Sequence, residues 1–281
     1  MHNLTKPWLQ EDIKAVLDEL VNGARAILGQ NMIGAWLQGS LATGDFDEHS
    51  DIDFVIGVEA DLKKVEIEAL QQFHPRLYGF SSPWAVHLEG SYFPQQILRD
   101  YRQSGSKIWY LDHGSQELIR SNHDNTVVVK WILRERGVTL DGPVPSTLID
   151  PIPTEALRVD TYRTFMDWGK EIFENPEIIN NHFYQTFAVL SFCRMLQALK
   201  EGRIGSKLAG ANWVKANWDE EWHDLIDRAW LGRPDPGASV RRPADADDLR
   251  RTLAFINEVM VAATDLMRDF GLDAAIEDFP Q

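Results

Sequence analysis

The chain has 281 residues, 44% of them hydrophobic and 25% charged, the composition of a soluble globular protein of one large or two ordinary domains. Its 28 Lys and Arg against 43 Asp and Glu leave a formal net charge of −15, which disfavours nucleic acid as a partner and suits a cationic small substrate, although acidity also serves solubility alone. The single Cys193 excludes an internal disulfide and a Cys-based metal site, residues 1–7 lack the apolar core of a signal peptide and no apolar run reaches the length of a membrane span, so a cytoplasmic protein without membrane contact is expected.

In chain order, residues 8–28 space Ile13, Val16, Leu17, Leu20, Val21, Ala24, Ile27 and Leu28 at helical intervals, with Gly29 as a candidate stop. Residues 32–38 are short and apolar and predict a buried strand. It runs into Gly39-Ser40, then a loop containing Gly44 and Asp45, then Ser50, and a second strand over 51–58 opens with Asp51-Ile52-Asp53. Residues 62–77 predict a helix, and residues 84–89, after Pro83, a short strand. Helix, strand, strand, helix, strand makes an α+β fold, a sheet covered by helices. Residues 92–118 are irregular and aromatic, with one strand near 107–111, and 125–135 predict a helix. Pro and Gly punctuate 142–145 and 150–153, which sets a domain boundary between residues 1–150 and 151–281. Beyond it the periods are helical, over 154–173, 181–201, 207–217, 218–231 and 244–270, and predict an all-α bundle. The clearest stripe is Tyr184, Phe187, Ala188, Leu190, Ser191, Arg194, Met195 and Leu199. Cys193, inside it, reads as a small buried hydrophobe. Residues 232–237 read as a surface loop and the acidic tail 273–281 as frayed.

In a strand, residues i and i+2 point to one face, so Asp51 and Asp53 would project side by side. Two such carboxylates repel, a cost that a divalent cation between them relieves. Gly39 lets the backbone approach a ligand, and Ser40 offers a hydroxyl and an N–H to a phosphate. Together they make a place for a metal-bound triphosphate. The plainer reading, a solvent-facing acidic pair beside a hairpin loop, sits poorly with so apolar a strand.

A Gly-Ser turn followed at about ten residues by Asp-x-Asp on a strand resembles the signature of the polymerase-β-type nucleotidyltransferases. Such enzymes need a third carboxylate from a neighbouring strand, to complete the metal site or to take the proton of the attacking hydroxyl. Glu89 is the natural candidate. Glu59, Asp61, Glu66 and Glu68 lie on the predicted helix or its entry and read as solvated. His87 would share a face with Glu89, and either orients it or is a partly buried histidine with no role.

The resemblance extends further. Residues 132–143 and Asp150-Pro151-Ile152-Pro153 look like the domain join of the aminoglycoside (3'')(9) adenylyltransferases, which modify streptomycin and spectinomycin. In the helical half, Arg194, Gly202-Arg203-Ile204, Lys207, Ala209 to Trp213, and Arg228-Ala229-Trp230-Leu231-Gly232 resemble that family's pattern. The resemblance implies a polymerase-β-like domain followed by a C-terminal α-helical domain. It implies that Asp51, Asp53 and Glu89 hold Mg²⁺, two ions in all, with the triphosphate of ATP. Ser40 and Ser50, beside Gly39, would touch the phosphates, and Lys207 would reach them from the helical domain. Trp230 aligns with a family tyrosine near the nucleotide, so a hydroxyl contact is lost there. Glu89 would be the general base, and Arg194 a salt-bridge partner. The family's drug-recognising acidic residue has no clear counterpart, for Asn180, Asn181 and His182 stand there. The candidates for the acceptor pocket are therefore Trp109, Asp124 and His182. The expected activity is transfer of AMP from ATP to a hydroxyl of a cationic aminoglycoside by a monomer, conferring resistance. The alternatives are another metabolite or a protein hydroxyl as acceptor, or a non-catalytic nucleotide-binding relative, which the intact carboxylates disfavour.

Overall fold

A six-stranded sheet and a set of packed helices make up the computed structural model, which describes residues 10–115, 117–233 and 241–272. Residues 1–7, the expected tail 273–281 and all of the expected 232–237 loop beyond Arg233 lie outside these. The chain divides into two compact units, Met1–Ile152 and Pro153–Gln281. No helix among the described residues is long and apolar enough to cross a membrane.

In the first unit, α1 (Glu11–Leu28) leads into β1 (Met32–Leu37), the short α2 (Gly39–Thr43), β2 (Ile52–Val58), α3 (Lys64–Tyr78) and β3 (Leu88–Pro94). Then come α4 (Gln95–Arg99), β4 (Ile108–Leu111), β5 (Leu118–Ser121), α5 (Val127–Arg136) and β6 (Val138–Asp141). The strand order is β5-β4-β3-β2-β1-β6. Only β2 and β3 run parallel, because α3 carries the chain back to the start of the sheet between them. Strand alternation divides the core into two layers. Phe54, Ile56, Leu88 and Tyr92 pack with Leu17, Leu20, Leu70 and Phe73 of α1 and α3, while Val55, Phe93 and Ile108 pack on the other face with Leu98 and Leu133 of α4 and α5.

Three expectations for this unit need correction. Residues 83–87 form a 3₁₀ turn, started by Pro83 and capped by the Ser82 hydroxyl, which accepts from the Trp84 N–H, and the strand begins only at Leu88. The segment expected to be irregular after residue 92 holds the rest of β3 and α4, while the strand expected near 107–111 is present as β4. Strands β5 and β6 escaped notice because they are four residues long and form the two edges of the sheet, where one side is solvated and the apolar pattern is weak.

The second unit is helical, with α6 (Thr154–Glu174), α7 (His182–Glu201), α8 (Lys207–Asn217), α9 (His223–Leu231) and α10 (Ala246–Asp269). Helix α7 packs against the other four, so its burial is not the single stripe expected. From Gln185 to Leu199 nearly every side chain is covered, Cys193 among them, whereas Tyr184 is exposed. The expected helix over 218–231 begins as a 3₁₀ turn, Glu220–Trp222, and becomes α-helical only at His223.

Candidate active site

The site grows from the pairing of β2 with β3. In their parallel register Asp53 lies opposite Glu89 and Ile52 opposite Leu88. Ile52 and Leu88 turn into the apolar layer under α1 and α3. Alternation therefore sends Asp53 and Glu89 together to the other face, on adjacent strands about 4.8 Å apart. Asp51 stands at the entry to β2, one residue before the strand begins. The turn from β1 into α2 closes on this pair. Gly39 has φ +59°, and a Cβ there would overlap the Asp53 carboxylate. The Ser40 hydroxyl is buried with no hydrogen-bond partner among the described residues. Ser50 is tied into its own turn, its hydroxyl donating to Asp47 Oδ1 at 3.0 Å.

Hydrogen bonds and charge differentiate the carboxylates. The Tyr110 hydroxyl donates to Glu89 Oε1 at 2.6 Å, and His123 Nε2 lies 3.6 Å from the same oxygen. The Glu89 side chain is only 16% exposed. Burial pushes its carboxyl above the ordinary value; the Tyr110 bond opposes this, and the charges of Asp124 and Asp51 add to it. Asp124 is buried beside it and accepts from the Ser91 hydroxyl at 2.7 Å, and burial raises its carboxyl too. Asp51 is the opposite case. Burial alone would raise it, but the imidazoles of His113 and His87 hold it well below the usual carboxylate range. His113 Nδ1 lies 2.8 Å and His87 Nδ1 3.7 Å from Asp51 Oδ1. One carboxylate is thus biased to stay ionised and another to take up a proton.

Gly39, Ser40, Asp51, Asp53 and Glu89 thus gather at one end of the β1–β2–β3 segment. Asp124 joins them from below, buried rather than lining an open pocket. Trp109 does not join them. It packs with the apolar layer on the α3 side, under the Arg120 guanidinium at 5.3 Å. Lys207, Trp230 and His182 belong to the second unit. Lys207 opens α8 with its Nζ 4.4 Å from the Phe187 ring centroid. Trp230 is half-buried, with the Arg233 guanidinium 3.4 Å over its ring. His182 opens α7, its N–H donating to the Arg242 carbonyl at 2.8 Å. His87 does not orient Glu89, because the 3₁₀ turn aims it at Asp51. Glu66, expected to be solvated, is buried and caps α3, accepting from the Lys63 N–H at 2.6 Å and the Asn31 amide at 3.2 Å. Tyr110 and His113 were not anticipated. Tyr110 alternates with Trp109 on β4, and only the β3–β4 pairing, with Ser91 opposite Tyr110, reveals that it faces Glu89. His113 lies in a turn, where no spacing rule points to it.

Residues 17–100 match the family model described as "Nucleotidyltransferase domain", and residues 147–250 match "Aminoglycoside adenylyltransferase, C-terminal domain". Among solved structures the chain is similar to spectinomycin adenyltransferase AAD(9) from Enterococcus faecialis, described with ATP and spectinomycin. The identity is 18% and the TM-score 0.65, over 88% of this chain and 98% of that one. No curated protein matches.

Proposed function

We propose that this chain, which belongs to the aminoglycoside adenylyltransferase family and is a nucleotidyltransferase, transfers AMP from ATP to a hydroxyl of a cationic aminoglycoside of the streptomycin and spectinomycin class, with Mg²⁺, in the cytoplasm. The observation that carries the reading is the register of β2 on β3, with Asp53 opposite Glu89. It supports Glu89 as the third carboxylate that Asp51 and Asp53 require. The donors fit a hard divalent cation, being carboxylate oxygens. The orphaned Ser40 hydroxyl, beside a Gly39 that tolerates no Cβ, fits a phosphate oxygen. Bound Mg²⁺ would neutralise charge developing on the phosphates.

The chain's own groups divide the remaining work. Glu89, raised by burial, takes the proton of the acceptor hydroxyl while Tyr110 holds its other role, orientation. The hydroxyl oxygen bonds to the α-phosphorus, the bond from that phosphorus to the bridging oxygen breaks, and pyrophosphate leaves. Asp51, held ionised, and Asp53 keep their negative charge for the cation. Ser40 and Ser50 are read as phosphate contacts, and Lys207 as a further one. The acidity of the chain, −15 overall, supports an acceptor bearing ammonium or guanidinium groups, and the bound spectinomycin of AAD(9) is the reason for the drug class.

The test is Glu89→Gln assayed for AMP transfer to spectinomycin and streptomycin. Transfer should fall by roughly 10²–10⁴-fold, the worth of a positioned general base, with MgATP still bound. Undiminished transfer in this variant would remove Glu89 from the role. A sensitive bacterium expressing the chain, but not Asp53→Asn, should survive one of these drugs if resistance is the outcome.

A further inference from the structure

The carboxylate reading of the site uses oxygen donors only, yet two imidazoles stand at its edge. His87 ends the 3₁₀ turn before β3, and His113 lies in the turn between β4 and β5. Both present Nδ1 to the same oxygen, Asp51 Oδ1, at 3.7 and 2.8 Å. Their rings cross at 64° with centroids 5.2 Å apart. The three donor atoms lie within 4.8 Å of one another. Hydrogen bonding accounts for one of these contacts, from His113. His87 is placed differently, its Nδ1 at ion-pair distance from the same oxygen but beyond a good hydrogen bond.

A metal accounts for both. Bonds of about 2.0–2.1 Å to nitrogen and oxygen in a tetrahedral shell separate neighbouring donors by about 3.3 Å, and the two observed separations fall on either side of that figure. Two imidazoles and one carboxylate are a poor set for Mg²⁺, which wants oxygen in octahedral array, and a good one for first-row transition metals. All three side chains are between 32% and 39% exposed, so an ion can enter and a fourth position stays open to water or phosphate. The Trp84 ring, 5.6 Å from that of His87, gives this imidazole a packed support.

We propose that Asp51, His87 and His113 form a three-donor site for a divalent transition metal, of the Zn²⁺, Mn²⁺ or Co²⁺ kind. It shares Asp51 with the proposed Mg²⁺ set and so deepens that reading, but it rests on its own two histidines. It makes the site one in which an imidazole-bound ion stands beside a carboxylate-bound one.

Co²⁺ is the probe, since its visible absorption reports nitrogen ligation without any turnover. The full chain, stripped with chelator and titrated with Co²⁺ in the absence of nucleotide, should develop ligand-field bands. His87→Gln and His113→Gln should each weaken binding by about tenfold or more and change the spectrum. His49→Gln, an exposed histidine paired with Glu48, controls for casual histidine binding and should change nothing. Circular dichroism verifies that each variant is folded, and Asp51→Asn serves as a third variant if either histidine change unfolds the chain. Absence of the bands in the wild type overturns the proposal. So do bands unaltered by both histidine changes, or lost equally in His49→Gln. MgATP binding to the wild type is measured separately by calorimetry, and its failure would strike the adenylyl-transfer reading while leaving the Co²⁺ result standing.

Discussion

Gly39 holds the site together by what it lacks. Its φ of +59° is costly for any residue with a Cβ, by about 1–2 kcal/mol, and a Cβ would also fall on the Asp53 carboxylate. The strain alone is a modest loss of stability, whereas the displacement strikes a proposed metal ligand. Gly39→Ala is therefore expected to unfold only about 1–2 kcal/mol more easily in a denaturant titration, yet to lose Mg²⁺-dependent ATP affinity by roughly tenfold or more in calorimetry. Unchanged affinity would mean that Asp53 does not need its place. This part of the site was legible in the sequence because it is local. Gly-Ser and Asp-x-Asp are short spacings, and strand alternation converts them directly into geometry. Tyr110 and His113 were not legible, since each meets its carboxylate only through a strand pairing that no local pattern encodes.

At the scale of elements, the contact of α3 with β3 stores a pH dependence. His74 on α3 is fully buried, and its Nε2 pairs with the Tyr92 hydroxyl of β3 at 2.7 Å. Burial depresses the imidazole to about 4. Because the folded value lies below the unfolded one, near 6.5, the unfolded chain binds the extra proton between these limits. This contribution to stability is thus complete above about pH 6.5 and drains away as the pH falls toward 4. At pH 5 the loss is about 2 kcal/mol, from 1.36 kcal/mol per unit. Denaturant midpoints at pH 7.5 and 5.0 should show it in the wild type. His74→Gln, which can still bond Tyr92 without titrating, should flatten the difference, and an unchanged difference would exonerate His74. The helix itself was readable from its apolar spacing, because α3 has one wet face. The strand it covers was misread at its start, since Pro83 and the Ser82 cap make a turn out of residues whose apolar run imitates a strand. The helices α6, α8 and α10 were visible for the same reason as α3, and α7 by its long apolar run although it is covered on nearly every side, while the edge strands β5 and β6 were too short and too wet to show a period.

At the scale of the molecule, each unit has its own apolar core. The buried clusters running from Ile13 to Ile149 and from Val159 to Met267 share no residue. Two cores predict two calorimetric transitions rather than one cooperative melt. His74→Gln at pH 5.0 should then move one transition only and so identify it as that of the first unit. The proposed phosphate contact of Lys207, on α8 of the second unit, can be tested against the same baseline. A ligand stabilises whatever it binds by RT ln(1 + [L]/Kd), about 2.7 kcal/mol at a hundredfold excess over Kd. If the first unit alone holds the nucleotide, saturating MgATP raises one transition. If Lys207 completes the site, MgATP raises both or merges them into one, and Lys207→Ala returns the second to its unliganded temperature while the first keeps most of its shift. A second transition indifferent to MgATP in the wild type would confine the nucleotide to the Asp51, Asp53 and Glu89 side, and would leave the helical unit to the acceptor alone.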